Sequence, residues 1–200
     1  MKDKILDKAS EMFLNFGFKS VTMDDLAEKM SISKKTIYSH FCNKTRLVEE
    51  TTSKMFLCIT TGIDAIRELD LNPIEEIYEI KKFMMENLKD EKSSCQFQLQ
   101  KYYPKAYSTL MKKQFETMQD CVSKNLQRGV DDGYFRKEID VDFITRVYFK
   151  GMTGIKDMET FPSEMFNMKY VVDSYIDYHV RGIATEKGIQ TLEKTKKQYN

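Results

Sequence analysis

The stretch TMDDLAEKMSISKKTIYSHF, residues 22–41, contains two short helical patterns separated by a turn of three or four residues. Thr22 begins the first pattern, because its hydroxyl can accept a hydrogen bond from the first helical turn and Asp25 completes a capping-box pattern three positions later. Ser33 is the corresponding N-cap of the second pattern. Two helices joined by so short a turn predict a helix-turn-helix over about residues 22–41.

The second helix of this motif has an apolar and a polar face. Ile37 and Phe41 lie four residues apart and are expected to point into the core. The same helix then turns its basic and hydroxyl groups toward solvent, namely Lys34, Lys35, Thr36, Ser39 and His40. The chain as a whole has 32 Lys+Arg and 31 Asp+Glu, a net charge of +1. Residues 29–46, in contrast, carry only cationic charges, namely Lys29, Lys34, Lys35, Lys44 and Arg46. This local excess predicts a surface that contacts phosphates.

Helical patterns continue along the rest of the chain. There are only 8 glycines and 3 prolines in 200 residues, and 41% of the residues are hydrophobic, which favours long helices around a real core. We therefore predict an all-α fold with an N-terminal domain over residues 1–59 and a larger helical domain over residues 60–200. Apolar periodicity predicts helices over residues 5–16, 22–30, 34–41, 44–69, 73–88, 95–103, 107–132, 141–155 and 168–183, a loop over 89–94 and a lysine-rich tail after Gly188.

Composition and motifs argue against several other classes of protein. The apolar runs are far shorter than the ~18 residues of a membrane span, and acidic residues near the start are unlike a signal peptide. The four cysteines, at positions 42, 58, 95 and 121, have no zinc-ligand spacing. No nucleophile elbow, phosphate-binding glycine loop or metalloprotease motif is present. We expect a cytoplasmic protein that is not an enzyme, with no cofactor, metal or membrane partner.

Several of these features share the spacing of one known family. They are the apolar periodicity of residues 5–16, Gly17 at the end of that helix, and the run TIYSHF at residues 36–41. Residues 1 to about 59 thereby resemble the DNA-binding domain of TetR-family transcriptional regulators. Two positions depart from the family pattern: Ser31 lies where members usually have glycine, at a small conformational cost, and Lys35 lies where many have a small residue.

The resemblance implies a function and a set of DNA-binding residues. It implies a ligand-responsive regulator, most often a repressor, that binds a palindromic operator on double-stranded DNA as a homodimer and is released by a small apolar or amphipathic effector. Thr22 and Lys44 would bind phosphates at helix N-termini. Tyr38 could instead pack its ring on the core. The expected DNA-binding residues are Thr22, Lys34, Lys35, Thr36, Tyr38, Ser39, His40 and Lys44.

The resemblance also implies an effector pocket and a dimer interface in the C-terminal domain. Methionine and aromatic side chains suit an adaptable apolar pocket, although core packing explains the same residues. The expected lining is Met84, Phe97, Tyr102, Tyr103, Phe115, Met118, Tyr148 and Met152. Broad apolar faces on the two helices over residues 141–155 and 168–183 suit a four-helix bundle between two chains, although internal burial is the alternative. The expected interface is Val147, Gly151, Ile155, Val172, Tyr175, Ile176, His179 and Val180.

Two broader alternatives remain open at this point. Residues 1–59 could be an ordinary three-helix unit with solvated lysines. The whole chain could also be a helical protein-interaction module that does not bind DNA, a hypothesis that the departures at Ser31 and Lys35 leave open.

Overall fold

A computed structural model describes residues 1–87, 94–157 and 159–199. Within these ranges the regular structure is helical, with no strand and a single bridge between Phe135 and Ala184. The predicted all-α fold is confirmed, and the loop expected over residues 89–94 lies almost wholly outside the described ranges. The helices are α1 (Lys2–Phe16), α2 (Met23–Lys29), α3 (Lys34–Tyr38), α4 (Lys44–Arg67), α5 (Pro73–Asn87), α6 (Ser94–Tyr102), α7 (Pro104–Asp131), α8 (Val141–Gly154), α9 (Met168–Ile183) and α10 (Glu186–Tyr199).

The chain divides into two compact units. The first unit comprises Met1–Thr61 with Leu88–Gln114, and the second comprises Gly62–Asn87 with Phe115–Asn200. Neither unit corresponds to a single continuous segment, unlike the predicted domains over residues 1–59 and 60–200. The reason for the difference is that α6 and the start of α7 pack onto the core of the N-terminal helices, where Cys95, Leu99 and Ala106 are buried.

The first unit has a core built from one face of each N-terminal helix. Ile5, Ala9 and Phe13 of α1 are fully buried, in keeping with the helical spacing of these residues. Gly17 ends α1 with a positive φ of 87°, and its N–H donates to the carbonyl of Phe13 over 2.8 Å. This termination turns the chain so that α2 and α3 cover the same core.

The second unit contains a helix that the sequence pattern did not predict. The residues after Gly188, expected to form a lysine-rich tail, belong to α10 (Glu186–Tyr199), which packs against α5 and α9. Leu192 and Thr195 are buried, and the Tyr199 hydroxyl donates to Glu79 over 2.6 Å. The interpretation of this segment as a tail is therefore wrong, because a few apolar residues at helical spacing suffice when neighbouring helices provide the core.

No helix in the described ranges combines the length and the apolar character needed to cross a bilayer.

Candidate nucleic-acid interface

Three side-chain caps fix the helices of the N-terminal motif. The Thr22 hydroxyl accepts from the Asp25 N–H over 3.1 Å, and the Asp25 carboxylate accepts in return from the Thr22 N–H over 2.8 Å. The Ser33 Oγ accepts from the N–H of Thr36 over 3.0 Å and caps α3. The Asn43 Oδ1 accepts from the N–H of Arg46 over 2.9 Å and caps α4. All three helix starts are thus determined locally by the sequence.

The turn of the motif depends on an unusual backbone conformation at Ser31. Its φ is 54°, the left-handed region, and it is the only non-glycine residue with positive φ among the described residues. The turn is closed by two hydrogen bonds, from Ser31 N to Glu28 O and from Ile32 N to Ala27 O, both 3.0 Å long. The departure noted in the sequence therefore falls on a position whose geometry favours glycine.

The exposed side of α3 and its C-terminal turn presents the predicted DNA-binding groups. Ile37 and Phe41 are fully buried, as expected, and Tyr38 is 43% exposed rather than enclosed by the core. The helix is shorter than predicted, because α3 ends at Tyr38 and the next two residues form a turn. The exposed residues of this face are Lys34, Lys35, Tyr38, Ser39 and His40, with Thr36 partly exposed.

Lys34 has an acidic partner that no pattern in the sequence indicated. Its ammonium group lies 2.7 Å from the carboxylate of Asp24, on α2, and 5.9 Å from the Tyr38 ring centroid. The hydrogen bond to Asp24 raises the pKa of Lys34. Lys35, in contrast, has no carboxylate within ion-pair distance among the residues the structure describes. Before Lys34 can contact a base edge, it must therefore leave Asp24.

Lys44 is also engaged by neighbouring groups. Its ammonium group donates to the carbonyl of Lys19 over 2.9 Å and lies 6.0 Å from the Tyr103 ring centroid. Partial burial lowers the pKa of Lys44. The side chain is partly exposed at the start of α4, where a phosphate would meet both the lysine charge and the free N–H groups of the helix terminus.

The residues predicted to line an effector pocket are divided between the two units. Phe97, Tyr102 and Tyr103 belong to the first unit, and the other five belong to the second. In the second unit the ring centroids of Phe115 and Phe149 lie 5.1 Å apart, and those of Tyr148 and His179 lie 4.8 Å apart. Burial raises the pKa of Tyr148. The remaining members of the second group are Met84, Met118 and Met152.

A surface cavity of about 340 Å³ lies within the first unit, between α4 and α7. Its lining includes Phe56 and Leu110 as apolar groups and Lys105 and Lys113 as cations. None of the eight predicted residues lines this cavity. Neither lysine has an ion-pair partner among the described residues, but Glu49, Glu50 and Arg46 line the same cavity, so its lining carries charges of both signs.

The residues predicted for the dimer interface have two different environments. Five of them, Ile155, Val172, Ile176, His179 and Val180, are buried in the second unit of the chain itself. Within the single chain these side chains have the internal packing named above as the alternative, and their place in a dimer interface stays a prediction. Gly151 is also packed within the chain: a Cβ added to it would lie only 2.1 Å from the hydroxyl oxygen of Tyr175. Val147, in contrast, is 42% exposed.

Capped helices, a tight turn, a buried apolar face and an exposed basic face define a helix-turn-helix DNA-binding domain. Comparison with known proteins gives the same class. Residues 5–51 match the family of bacterial regulatory proteins described as the tetR family. The chain is 25% identical over 192 residues to the HTH-type transcriptional repressor KstR2 of Mycolicibacterium smegmatis, covering 94% of this chain and 92% of that protein.

Two further relatives extend the comparison. The biofilm operon icaADBC HTH-type negative transcriptional regulator IcaR of Staphylococcus aureus is 24% identical over 132 residues, covering 66% of this chain and 70% of IcaR. The structure of SmeT, the repressor of the Stenotrophomonas maltophilia multidrug efflux pump SmeDEF, has the same fold with a TM-score of 0.71 at 16% identity, covering 93% of this chain and 91% of SmeT.

Residues 5–51 thus have the helix-turn-helix of the tetR family, and the chain is similar over most of its length to HTH-type transcriptional repressors. The function predicted from the sequence, a DNA-binding transcriptional regulator, is confirmed, and the interaction module without DNA binding is not favoured. These relatives are transcriptional regulators rather than enzymes.

Proposed function

We propose that this protein represses transcription in the cytoplasm as a homodimer whose two α3 helices bind successive major grooves of a palindromic operator. The observation that carries the proposal is the exposed basic face of α3 above a buried Ile37 and Phe41. Half-sites of such an operator lie one helical turn apart, about 34 Å.

The residues of this face divide into base contacts and phosphate contacts. Lys34 and Lys35 are proposed to donate to guanine O6 and N7, and the Thr36 methyl to contact a thymine methyl. Tyr38, Ser39 and His40 complete the contact surface. Thr22 accepts a hydrogen bond from Asp25 and keeps its own hydroxyl proton to donate to a phosphate. Lys44 supplies a full charge beside it, at the start of α4.

The dimer interface is proposed to use the apolar residues that the second unit leaves exposed on α8 and α9. Phe143 and Val147 on α8 are 61% and 42% exposed, and Tyr178 on α9 is 76% exposed. They lie on the same two helices as the interface residues predicted from the sequence, and Val147 belongs to both sets. Two copies of this helix pair would form a four-helix bundle.

The effector is proposed to be a small amphipathic molecule that weakens DNA binding. The cavity between α4 and α7 supports this class of ligand, because its lining combines apolar groups with charged groups of both signs. The eight residues predicted from the sequence remain candidates for contacts with the apolar part of the ligand. Since α4 also carries Lys44, a ligand that displaces α4 would move a phosphate contact, with a coupling free energy of about 1–3 kcal/mol.

The substitution Lys44→Ala tests the proposed phosphate contact. We expect weaker binding to every duplex sequence and a salt dependence of log K that is shallower by about 0.9 for each phosphate the variant no longer neutralises. The measurement is fluorescence anisotropy with a random-sequence duplex over a series of salt concentrations. A wild-type slope in the variant would remove Lys44 from the contact surface.

A further inference from the structure

The corner between α6 and α7 carries lysine and aromatic side chains in close contact. We call Lys19, Lys101, Tyr102 and Tyr103 the α6–α7 corner. The ammonium group of Lys19 lies 4.8 Å from the Tyr102 ring centroid, and that of Lys101 lies 5.7 Å from the same ring. One exposed tyrosine ring therefore holds two cations, a geometry in which the ring attracts the charges without neutralising them.

The corner is attached to the DNA-binding motif by direct contacts within the first unit. Gln98, one turn before Tyr102, accepts a hydrogen bond from the Lys19 N–H over 2.9 Å. Lys44 donates to the Lys19 carbonyl and lies 6.0 Å from the Tyr103 ring. Lys19 and Tyr103 of the corner are thus direct neighbours of the lysine at the start of α4 that we propose to bind phosphate, and Lys101 joins them through the Tyr102 ring.

Among the residues that the structure describes, no acidic group pairs with the lysines of the corner. Lys19 and Lys101 are both exposed, and neither has a carboxylate within ion-pair distance in the described ranges. The Lys19 ammonium group, by hydrogen bonding, also lowers the pKa of the Tyr102 phenol. Each ammonium group keeps N–H donors for an anion, since a lysine has three donors and an aromatic face satisfies none of them fully.

We propose that the α6–α7 corner is a second DNA-contact surface, on which Lys19 and Lys101 bind backbone phosphates of the same duplex beside the contact made by Lys44. This proposal rests on the proposed function. Duplex DNA is favoured over an acidic protein because the corner adjoins Lys44 and shares the compact unit of the helix-turn-helix. The surface carries no base-reading group, so its contribution is independent of sequence.

The test compares full-length variants in binding to a random-sequence duplex over a range of salt concentrations. The double variant Lys19→Ala/Lys101→Ala removes the two charges, and Lys19→Arg/Lys101→Arg keeps them over the ring. Lys137→Ala, which removes an exposed lysine of the second unit, is the control for a change in net charge. We expect the alanine pair to bind at least several-fold more weakly, and the slope of its log K against log salt concentration to be shallower by about 0.9 for each phosphate left without a lysine. The arginine pair should retain the wild-type slope.

The outcomes separate this proposal from the proposed function. The corner surface is overturned if the alanine pair has the same affinity and the same salt dependence of log K as Lys137→Ala. If Lys44→Ala has a shallower salt dependence in the same experiment, the proposed DNA binding still stands. That outcome would leave an acidic protein as the partner to seek for the corner. A wild-type protein without salt-dependent binding overturns both. Circular dichroism of each variant checks that helix content is unchanged.

Discussion

Ser31 shows how a single residue limits the stability of the N-terminal motif. With φ at 54°, its Cβ lies close to the following carbonyl, which costs roughly 1–2 kcal/mol for an L-residue. Glycine avoids that steric conflict, but its greater conformational freedom in the unfolded chain lowers the stability of the fold by about 0.5–1 kcal/mol. We expect Ser31→Gly to raise the free energy of unfolding by about 0.5–1 kcal/mol in urea titrations.

The matched control for this prediction is Ser20→Gly. Ser20 lies in an exposed turn and does not have a positive φ, so glycine there gains nothing in the folded state. An equal stabilisation by both substitutions would contradict the argument from backbone strain.

Asp24 has an effect on DNA binding that follows from its contact with Lys34. The carboxylate holds the Lys34 ammonium group at 2.7 Å and also places a negative charge on the phosphate-facing side of the motif. We expect Asp24→Asn to tighten binding to random-sequence duplex by about two- to fivefold, since exposed ion pairs are weak. Anisotropy titrations at low salt measure the change.

A double-mutant cycle assigns this effect to Lys34. In a Lys34→Gln background the substitution Asp24→Asn should have a smaller effect, because the lysine it releases is absent. Equal effects in both backgrounds would mean that Asp24 acts only through repulsion of the phosphates.

At the scale of helices, α9 illustrates what periodicity can and cannot predict. The apolar spacing predicts the helix and its apolar face, and the structure confirms both. The pattern cannot say whether α5, α10 or a second chain covers that face, because burial depends on elements distant in sequence. Periodicity therefore leaves both internal burial and a dimer interface open for this face.

The N-terminal elements could be predicted more fully because their signals are local. Thr22, Ser33 and Asn43 cap the helices that follow them with bonds spanning three residues. The partner of Lys34, in contrast, lies ten residues away across the turn, and that of Lys44 lies 25 residues away. Such contacts depend on tertiary packing and leave no pattern in a single sequence.

The buried face of α9 also predicts a pH dependence. Burial among Tyr148 and Tyr175 lowers the pKa of His179 to about 4, and its Nε2 has no hydrogen-bond partner in the described part of the chain. In the unfolded chain a histidine titrates near a pKa of about 6.5. The unfolded state therefore binds more protons between these values, and the stability present above pH ~6.5 is lost as the pH falls toward 4.

The variant His179→Gln isolates this contribution from that of the carboxylates. Between about pH 7 and pH 5 we expect wild-type protein to lose on the order of 2 kcal/mol more unfolding free energy than the variant, as measured by urea denaturation. Parallel loss of stability in the two proteins would contradict a neutral buried His179.

For the whole molecule, the proposed dimer interface consists of the apolar residues that remain exposed on α8 and α9. Phe143 and Tyr178 are 61% and 76% exposed in the single chain. We expect the double variant Phe143→Glu/Tyr178→Glu to sediment as a monomer and to lose binding to a palindromic site, because charges cannot be buried unpaired in a helical interface. Sedimentation velocity measures the assembly state.

Leu57→Glu is the matched control, since Leu57 is 64% exposed on α4 and outside the proposed interface. It should leave the sedimentation coefficient unchanged. A double variant that still sediments as a dimer would move the interface to another surface.

Binding of palindromic DNA by a dimer, through α3 of each chain, is the central feature of the proposed function. Selection of bound sites from a random duplex pool, with purified protein at a stated salt concentration, tests it most directly. We predict a palindromic consensus whose half-sites lie about one helical turn apart. Recovery of no enriched sequence, or of an unpaired half-site, would contradict this prediction.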